Sequence, residues 1–222
     1  MYPDAPTIDM TDITGTNCYC DDAAADLIRG RIFGSGSVHG DITSRIRFLD
    51  SGNYHYLSYF FMERIEVPFS LFLIDNHTDM QRPGFGNILS CGGWVAYAME
   101  NLSNLREVFM IGVGEEHLRE AGPLPGNVRI MSKDEAGSGG TGEGLPVYLS
   151  IDKDALAPGY AAADWDQGDM TIDGLLELIH RIRGGHNLLG VDICGEKKES
   201  PTGEELQKNI LVNAKVLEAL RR

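Results

Sequence analysis

Asp75-Asn-His77-Thr-Asp79 and Asp152-Lys-Asp154 place carboxylates and an imidazole at every second position of the chain. Side chains of an extended segment alternate between two faces, so Asp75, His77 and Asp79 point one way, and Asp152 and Asp154 share a face as well. Each segment follows a run that reads as a buried strand, Ser70-Leu-Phe-Leu-Ile74 and Pro146-Val-Tyr-Leu-Ser-Ile151. Ligands of an open parallel sheet bind just beyond the carboxyl ends of its strands, which is where both segments fall. A third strand-like run ends at Leu49-Asp50 and leads through Ser51-Gly52-Asn53 to His55. If these ends are neighbours, six donors converge: His55, Asp75, His77, Asp79, Asp152 and Asp154. Four carboxylates gathered at one point repel one another unless cations lie between them, and two divalent ions match their formal charge. Mixed oxygen and imidazole donors suit manganese first, with iron, cobalt or zinc behind it. A single aspartate after a strand is usually a turn or capping residue, so Asp50 or Asp192 alone carries little. His180 and His186, on or near a charged helix, read as solvated.

Five apolar runs read as the strands that position these groups: 44–49, 70–74, 107–113, 146–151 and 187–193. The last four are continuously apolar, as expected of strands covered on both faces. Amphipathic stretches of helical length lie between and after them, at 54–65, 92–102, 172–183 and 203–221. Thr202-Gly-Glu-Glu205 has the capping-box pattern for the last helix, with Leu206, Ile210, Leu217 and Leu220 expected on its inner face. Thr171 is a cap for the helix before it. Alternating strands and helices imply an α/β domain with a parallel sheet wrapped on both sides. Gly- and Ser-rich stretches at 34–37 and 136–144 read as loops within one domain, 1–222, and the first forty residues carry few periodic signals.

The formal charge of −14 argues against nucleic acid or an anionic membrane, since both select basic surfaces. Two divalent ions would reduce it to about −10. No window is apolar enough to span a bilayer, and Met1-Tyr-Pro-Asp-Ala-Pro6 lacks the character of a secretory signal. Cys18, Cys20, Cys91 and Cys194 have neither zinc-finger spacing nor an easy disulfide, and read as reduced thiols of a cytoplasmic protein.

The order Gly-x-x-His, Asp-x-His-x-Asp, Ser-x-Asp-x-Asp resembles the ureohydrolases, the family of arginase, agmatinase and formimidoylglutamase. The matching residues are Gly52-Asn-Tyr-His55, Asp75-Asn-His-Thr-Asp79 and Ser150-Ile-Asp152-Lys-Asp154. The resemblance covers about residues 44 to 195 and implies a three-layer α/β/α sandwich with a two-manganese centre. Carried across residue by residue, one ion takes His55, Asp75, Asp79 and Asp152, and the other takes Asp75, His77, Asp152 and Asp154. Asp75 and Asp152 then bridge. Related enzymes assemble as trimers or hexamers, which makes a homo-oligomer an expectation here too.

Departures from the family pattern bear on substrate. Asn53 and Tyr54 precede His55 where the family has Gly-Gly-Asp-His, and Ala157-Pro158 stands where it has Asp-Pro. The histidine that follows a Gly-Asn pair is absent from Gly86-Asn87-Ile-Leu-Ser90-Cys91. Between Asp79 and Asn87 the set that holds an amino acid's α-carboxylate in arginase is missing too. A guanidinium-pairing glutamate lies three residues after the aspartate matching Asp192; Gly195 holds that place, with Glu196 one residue later. The chain thus reads as a divergent, short ureohydrolase and not arginase itself, with a small cationic substrate expected and arginine not assigned to it.

The expected reaction is hydrolysis of a non-peptide C–N bond in a guanidino or amidino compound by a hydroxide between two ions. Asp79 is the expected proton shuttle and His117, in Gly112-Val-Gly-Glu-Glu-His117, the other candidate, against a reading as a solvated loop residue. Glu196, and equally Glu115 or Glu116, could pair with the cation or be plain surface residues. Trp165 either stacks on a flat cation or packs under the sheet. Cys91 is a polar pocket group or a buried helix-start residue. Two other functions compete: a deacetylase-like amide hydrolase with a single zinc, and a non-catalytic relative that binds metal or a small ligand.

Overall fold

A continuous apolar run is buried along its whole length only where both faces of a strand are covered. Every residue of strands β3 (Phe69–Ile74) and β7 (Val147–Asp152) is buried in the computed structural model, which describes residues 6–34, 45–84, 86–132, 135–137 and 144–221. They sit side by side at the centre of a six-stranded sheet with β2 (Ile46–Phe48), β5 (Leu105–Ile111), β6 (Val128–Ile130) and β8 (Leu188–Cys194), in the order β2-β8-β7-β3-β5-β6. All its pairings are parallel. A separate antiparallel pair joins β1 (Tyr19–Cys20) to β4 (Leu89–Ser90).

Alternation along the strands sorts the core into two. Phe72, Ile74, Leu149, Ile151 and Val191 face helices α5 (Ile172–Gly185) and α6 (Gly203–Arg221). Phe69, Leu71, Leu73, Val108 and Met110 face α1 (Asp22–Gly34), α2 (Leu57–Met62) and α3 (Trp94–Asn101). The result is a three-layer α/β/α sandwich with a parallel main sheet. After β3 the next sheet strand, β5, lies on one side; after β7, β8 lies on the other. The crevice between the carboxyl ends of β3 and β7 is therefore a topological switch point, the place where such sheets bind ligands.

Several expected boundaries move. The expected helix at 54–65 is a 3-10 turn, Gly52–Tyr54, followed by α2; that at 92–102 is a turn, Cys91–Gly93, followed by α3. Residue 44 of the first expected strand lies outside the described residues, as do 35–37 and 138–143 of the two expected loops. Helices α1 and α4 (Glu115–Ala121), and strands β1, β4 and β6, are elements the sequence reading lacks. Thr202 and Glu205 form the capping box: Thr202 Oγ1 accepts from Glu205 N at 3.3 Å, and Glu205 Oε2 accepts from Thr202 N at 2.8 Å. Thr171 caps α5 through Gly174 N at 3.1 Å.

The inner face of α6 differs from expectation. Leu217 and Leu220 are buried, whereas Leu206 and Ile210 are exposed. Asn209 and Asn213 lie inside instead, because each satisfies buried polar groups: Asn209 bonds the backbone of Ala162, and Asn213 bonds Lys153 and Glu196. His186 is half-buried, its ring 5.1 Å from that of Phe72, rather than solvated.

Candidate metal centre

The chain leaves β3 still extended, with Asp75 N donating to Ile111 O, and turns at Asp79, whose φ is 49°. Aspartate tolerates this left-handed region better than most residues. On the neighbouring strand, Asp152 ends β7 opposite Cys194 of β8. Asp152 accepts from Asp154 N, which sets the following turn. His55 arrives on the Gly52–Tyr54 turn, started by Ser51, whose hydroxyl accepts from Asn53 N. Gly52 packs closely here: an added Cβ would lie 3.2 Å from Asp152 Oδ2 and 3.1 Å from Trp165 Cδ1.

These elements bring all six expected donors together. His55 Nδ1 lies 3.3 Å from Asp75 Oδ2, 3.0 Å from Asp79 Oδ2 and 3.4 Å from Asp152 Oδ2. His77 Nδ1 lies 3.4 Å from Asp75 Oδ1 and 2.9 Å from Asp154 Oδ2. The two oxygens of Asp75 therefore face two different donor sets.

Hydrogen bonding sets the chemical character of this cage. Ser150 Oγ gives its one proton to Asp192 Oδ1 at 2.6 Å, so it accepts from His55 Nε2 at 2.8 Å. That leaves His55 Nδ1 facing three carboxylates with a lone pair or an extra proton. Asp75 Oδ2 is buried and receives no hydrogen bond. Burial opposes charge on His55, yet the Cys194 sulfur and the Asp75 and Asp79 carboxylates raise its pKa well above the usual imidazole value. His77, also against burial, is raised to about 12 by Asp154 and Asp75. Burial and the Asp75 charge lift Asp154 to about 7. The pocket is short of positive charge, and divalent cations with oxygen and imidazole ligands fit it.

Other groups steady the donors. Trp94 Nε1 donates to Asp79 Oδ2 at 2.5 Å, and His77 Nε2 lies 3.0 Å from Asp166 Oδ1. Cys194, fully buried, donates its thiol to Asp152 Oδ2 at 3.0 Å, and with His55 and Asp152 forms a further grouping of potential ligand atoms. Asp192 had a signal in the sequence, a carboxylate inside a continuous apolar strand. Asp166, Trp94 and Cys194 had none beyond residue type.

The remaining candidates separate. His117 is on α4, not in a loop, with its ring 4.3 Å from that of His77 and Nε2 2.8 Å from Asp166 Oδ2. Glu196 is turned from the cavity to Lys153: Oε1 accepts from Lys153 Nζ at 2.7 Å and Asn213 Nδ2 at 2.6 Å. Glu115 and Glu116 are exposed at the start of α4. Trp165 does not pack under the sheet; it lines the cavity and donates from Nε1 to Asn53 Oδ1. Cys91 is both a buried residue at a helix start and a lining residue. The cavity itself is about 30 Å³.

A parallel α/β/α sandwich with a cage of carboxylates and imidazoles at its switch point defines an α/β protein with a candidate metal centre. The family model described as the arginase family matches residues 55–197, and the chain belongs to that family. An uncharacterised protein of Thermotoga maritima is 31% identical over 181 residues, covering 79% of this chain and 67% of the relative. Arginase 2 (chloroplastic/mitochondrial) of Arabidopsis thaliana is 27% identical over 155 residues, 65% of this chain but 44% of its own length. Among solved structures, the agmatine ureohydrolase of Thermoplasma volcanium superposes with a TM-score of 0.64 at 16% identity, over 88% of this chain and 69% of that one. The fold is thus the arginase-like one. Among the described residues, no helix is long and apolar enough to cross a membrane.

Proposed function

We propose that the chain is a metal-dependent hydrolase that cleaves a non-peptide C–N bond in a small guanidino or amidino compound, using two divalent ions, manganese first. The observation that carries this reading is the sharing of Asp75, one oxygen facing His55 and the other His77. His55, Asp75, Asp79 and Asp152 would hold one ion, and Asp75, His77, Asp152 and Asp154 the other. When bound, such a pair lowers the pKa of a water held between them and supplies hydroxide near neutral pH.

This chain's own groups do the rest. Asp79, fixed by Trp94, sits where its carboxylate can hold and pass on a proton. His117, at the mouth beside His77, is placed to protonate a leaving amine. Trp165 offers a flat face to a planar cation at the cavity wall. Glu196 supports Lys153 rather than substrate, which revises its expected role. Four free thiols fit a reducing compartment, and we place the protein in the cytoplasm.

Elemental analysis of protein purified without chelator should give close to two transition-metal ions per chain. Urea or ammonia release is then scored over guanidino acids, agmatine-like amines and formimino compounds. One zinc with amide hydrolysis would replace this reading by the deacetylase-like one. Full loading without turnover on the whole panel would leave a binding protein.

A further inference from the structure

The two imidazoles of the cage are held in different ways. His55 is 2% exposed and locked from behind by Ser150 and Asp192, inside the sheet. His77 is 19% exposed, and what lies behind it is a surface carboxylate: Asp166, 65% exposed, on the segment 163–168 that crosses the mouth. Packing gives so exposed a side chain no reason to stay in place. Its hydrogen bonds do. Asp166 Oδ1 lies 3.0 Å from His77 Nε2, Oδ2 lies 2.8 Å from His117 Nε2, and Asn76 Nδ2 donates to its backbone oxygen and to Oδ2 at 3.1 and 3.2 Å.

We propose that Asp166 is a positioning residue for the second ion, holding the Nε2 proton of His77 so that Nδ1 presents its lone pair toward Asp75 and Asp154. The inference rests on the two-ion reading above. The same bond ties the segment 163–168, with Trp165 on it, across the centre, so occupancy of the second site and order at the mouth rise together. Metal-bound histidines generally donate their other N–H to a carboxylate or carbonyl, which sets tautomer and ring orientation. His77, His117 and Asp166 could instead be taken for an outer cation site. A neutral imidazole has one lone pair, however, and His77 spends it at Nδ1, which makes Nε2 a donor and not a ligand.

The test is calorimetric titration of Mn2+ into the full chain stripped of metal, on wild type, Asp166→Ala and Asp164→Ala. Asp164, on the same segment, accepts from Lys198 N, Glu199 N and, at 3.4 Å, Ser51 Oγ, and makes no bond to His77, so its variant loosens the segment without touching the second set of donors. The expected result is two ions bound by wild type and by Asp164→Ala with equal affinities. In Asp166→Ala one ion should bind about 10–100-fold more weakly and the other unchanged, with the melting temperature of the stripped protein falling no further than in Asp164→Ala. Wild-type affinity for both ions in Asp166→Ala overturns the inference and leaves the two-ion reading standing. So does equal weakening in Asp164→Ala, or a third wild-type ion that Asp166→Ala abolishes. Fewer than two ions in wild type overturns both.

Discussion

Replacing Gly195 by alanine is expected to disable the centre while changing no donor. Gly195 has φ 89°, and a Cβ built there would lie 2.0 Å from Asp152 Oδ1 and 2.7 Å from Lys153 N. An L-residue forced into left-handed backbone costs about 1–2 kcal/mol. Asp152 Oδ1 cannot remain at 2.0 Å from a carbon, and turning its carboxylate off rotamer costs about 0.5–1.5 kcal/mol more. The total is about 1.5–3.5 kcal/mol, which for a chain of this size lowers the melting temperature by about 3–14 °C. The same rotation breaks the bond from Asp154 N to Asp152 Oδ1 and removes one oxygen from the cage. Thermal melts of stripped protein read the first effect and Mn2+ titration the second. Gly195→Glu, which restores the family's glutamate, should fail both assays and gain no activity on arginine. A Gly195→Ala protein that melts within about 1 °C of wild type and binds metal normally would refute the reasoning.

Further outcomes follow from the same contacts. Asp75→Asn, which withdraws charge from the carboxylate facing both sets, should lose both ions; retention of two ions would remove its bridging role. Glu196→Gln strips the buried Lys153 of its counter-charge and should destabilise by about 1–3 kcal/mol, at the lower end because Glu196 is 27% exposed. Its KM for a cationic substrate should stay put, whereas normal stability with a raised KM would return Glu196 to the substrate. Glu205 is held at about 2 by Lys197 and the backbone N–H of Thr202, below its usual 4.5. Its depressed pKa means that its contribution is complete above about pH 4.5 and vanishes as pH falls toward about 2. Glu205→Gln should accordingly melt lower than wild type at pH 7, with the gap closing between pH 4.5 and 2; a gap independent of pH would show that the charge is idle.

How much of this was legible in the sequence depends on how local the cause is. The central strands were readable because continuous burial leaves a continuous apolar run, and the six donors because period-two spacing survives at a strand end. Asp166 was not readable, since its meaning comes from His77, 89 positions away. The face of α6 was misread for the same reason. Its outward Leu206 and Ile210 look like core residues, and its inward Asn209 and Asn213 look like surface, until Ala162 and Lys153 are brought against them. α4 has no buried residue among those described and so left no apolar stripe to find.

The sheet order also alters one premise. The reading required the ends of β2, β3 and β7 to be neighbours, yet β8 lies between β2 and β7. His55 must cross the end of β8 to reach the cage. Backbone pairing carries the chain across: Leu49 N donates to Ile193 O, and Glu196 N to Asp50 O. Two glycines then clear the space. Asp152 lies between them, with Oδ1 against Gly195 and Oδ2 against Gly52. A side chain at Gly195 would push Asp152 out of the cage, and one at Gly52 would press Asp152 and Trp165 aside by a few tenths of an ångström. The glycine where the family carries its guanidinium-pairing glutamate is thus a structural requirement of this chain, because the backbone that lets His55 cross leaves no room for that side chain. On the proposed function, recognition of a cationic substrate falls to the mouth, where Trp165 stands, and a Trp165→Ala protein is expected to keep the metal content of wild type while its KM rises. An unchanged KM would place recognition elsewhere.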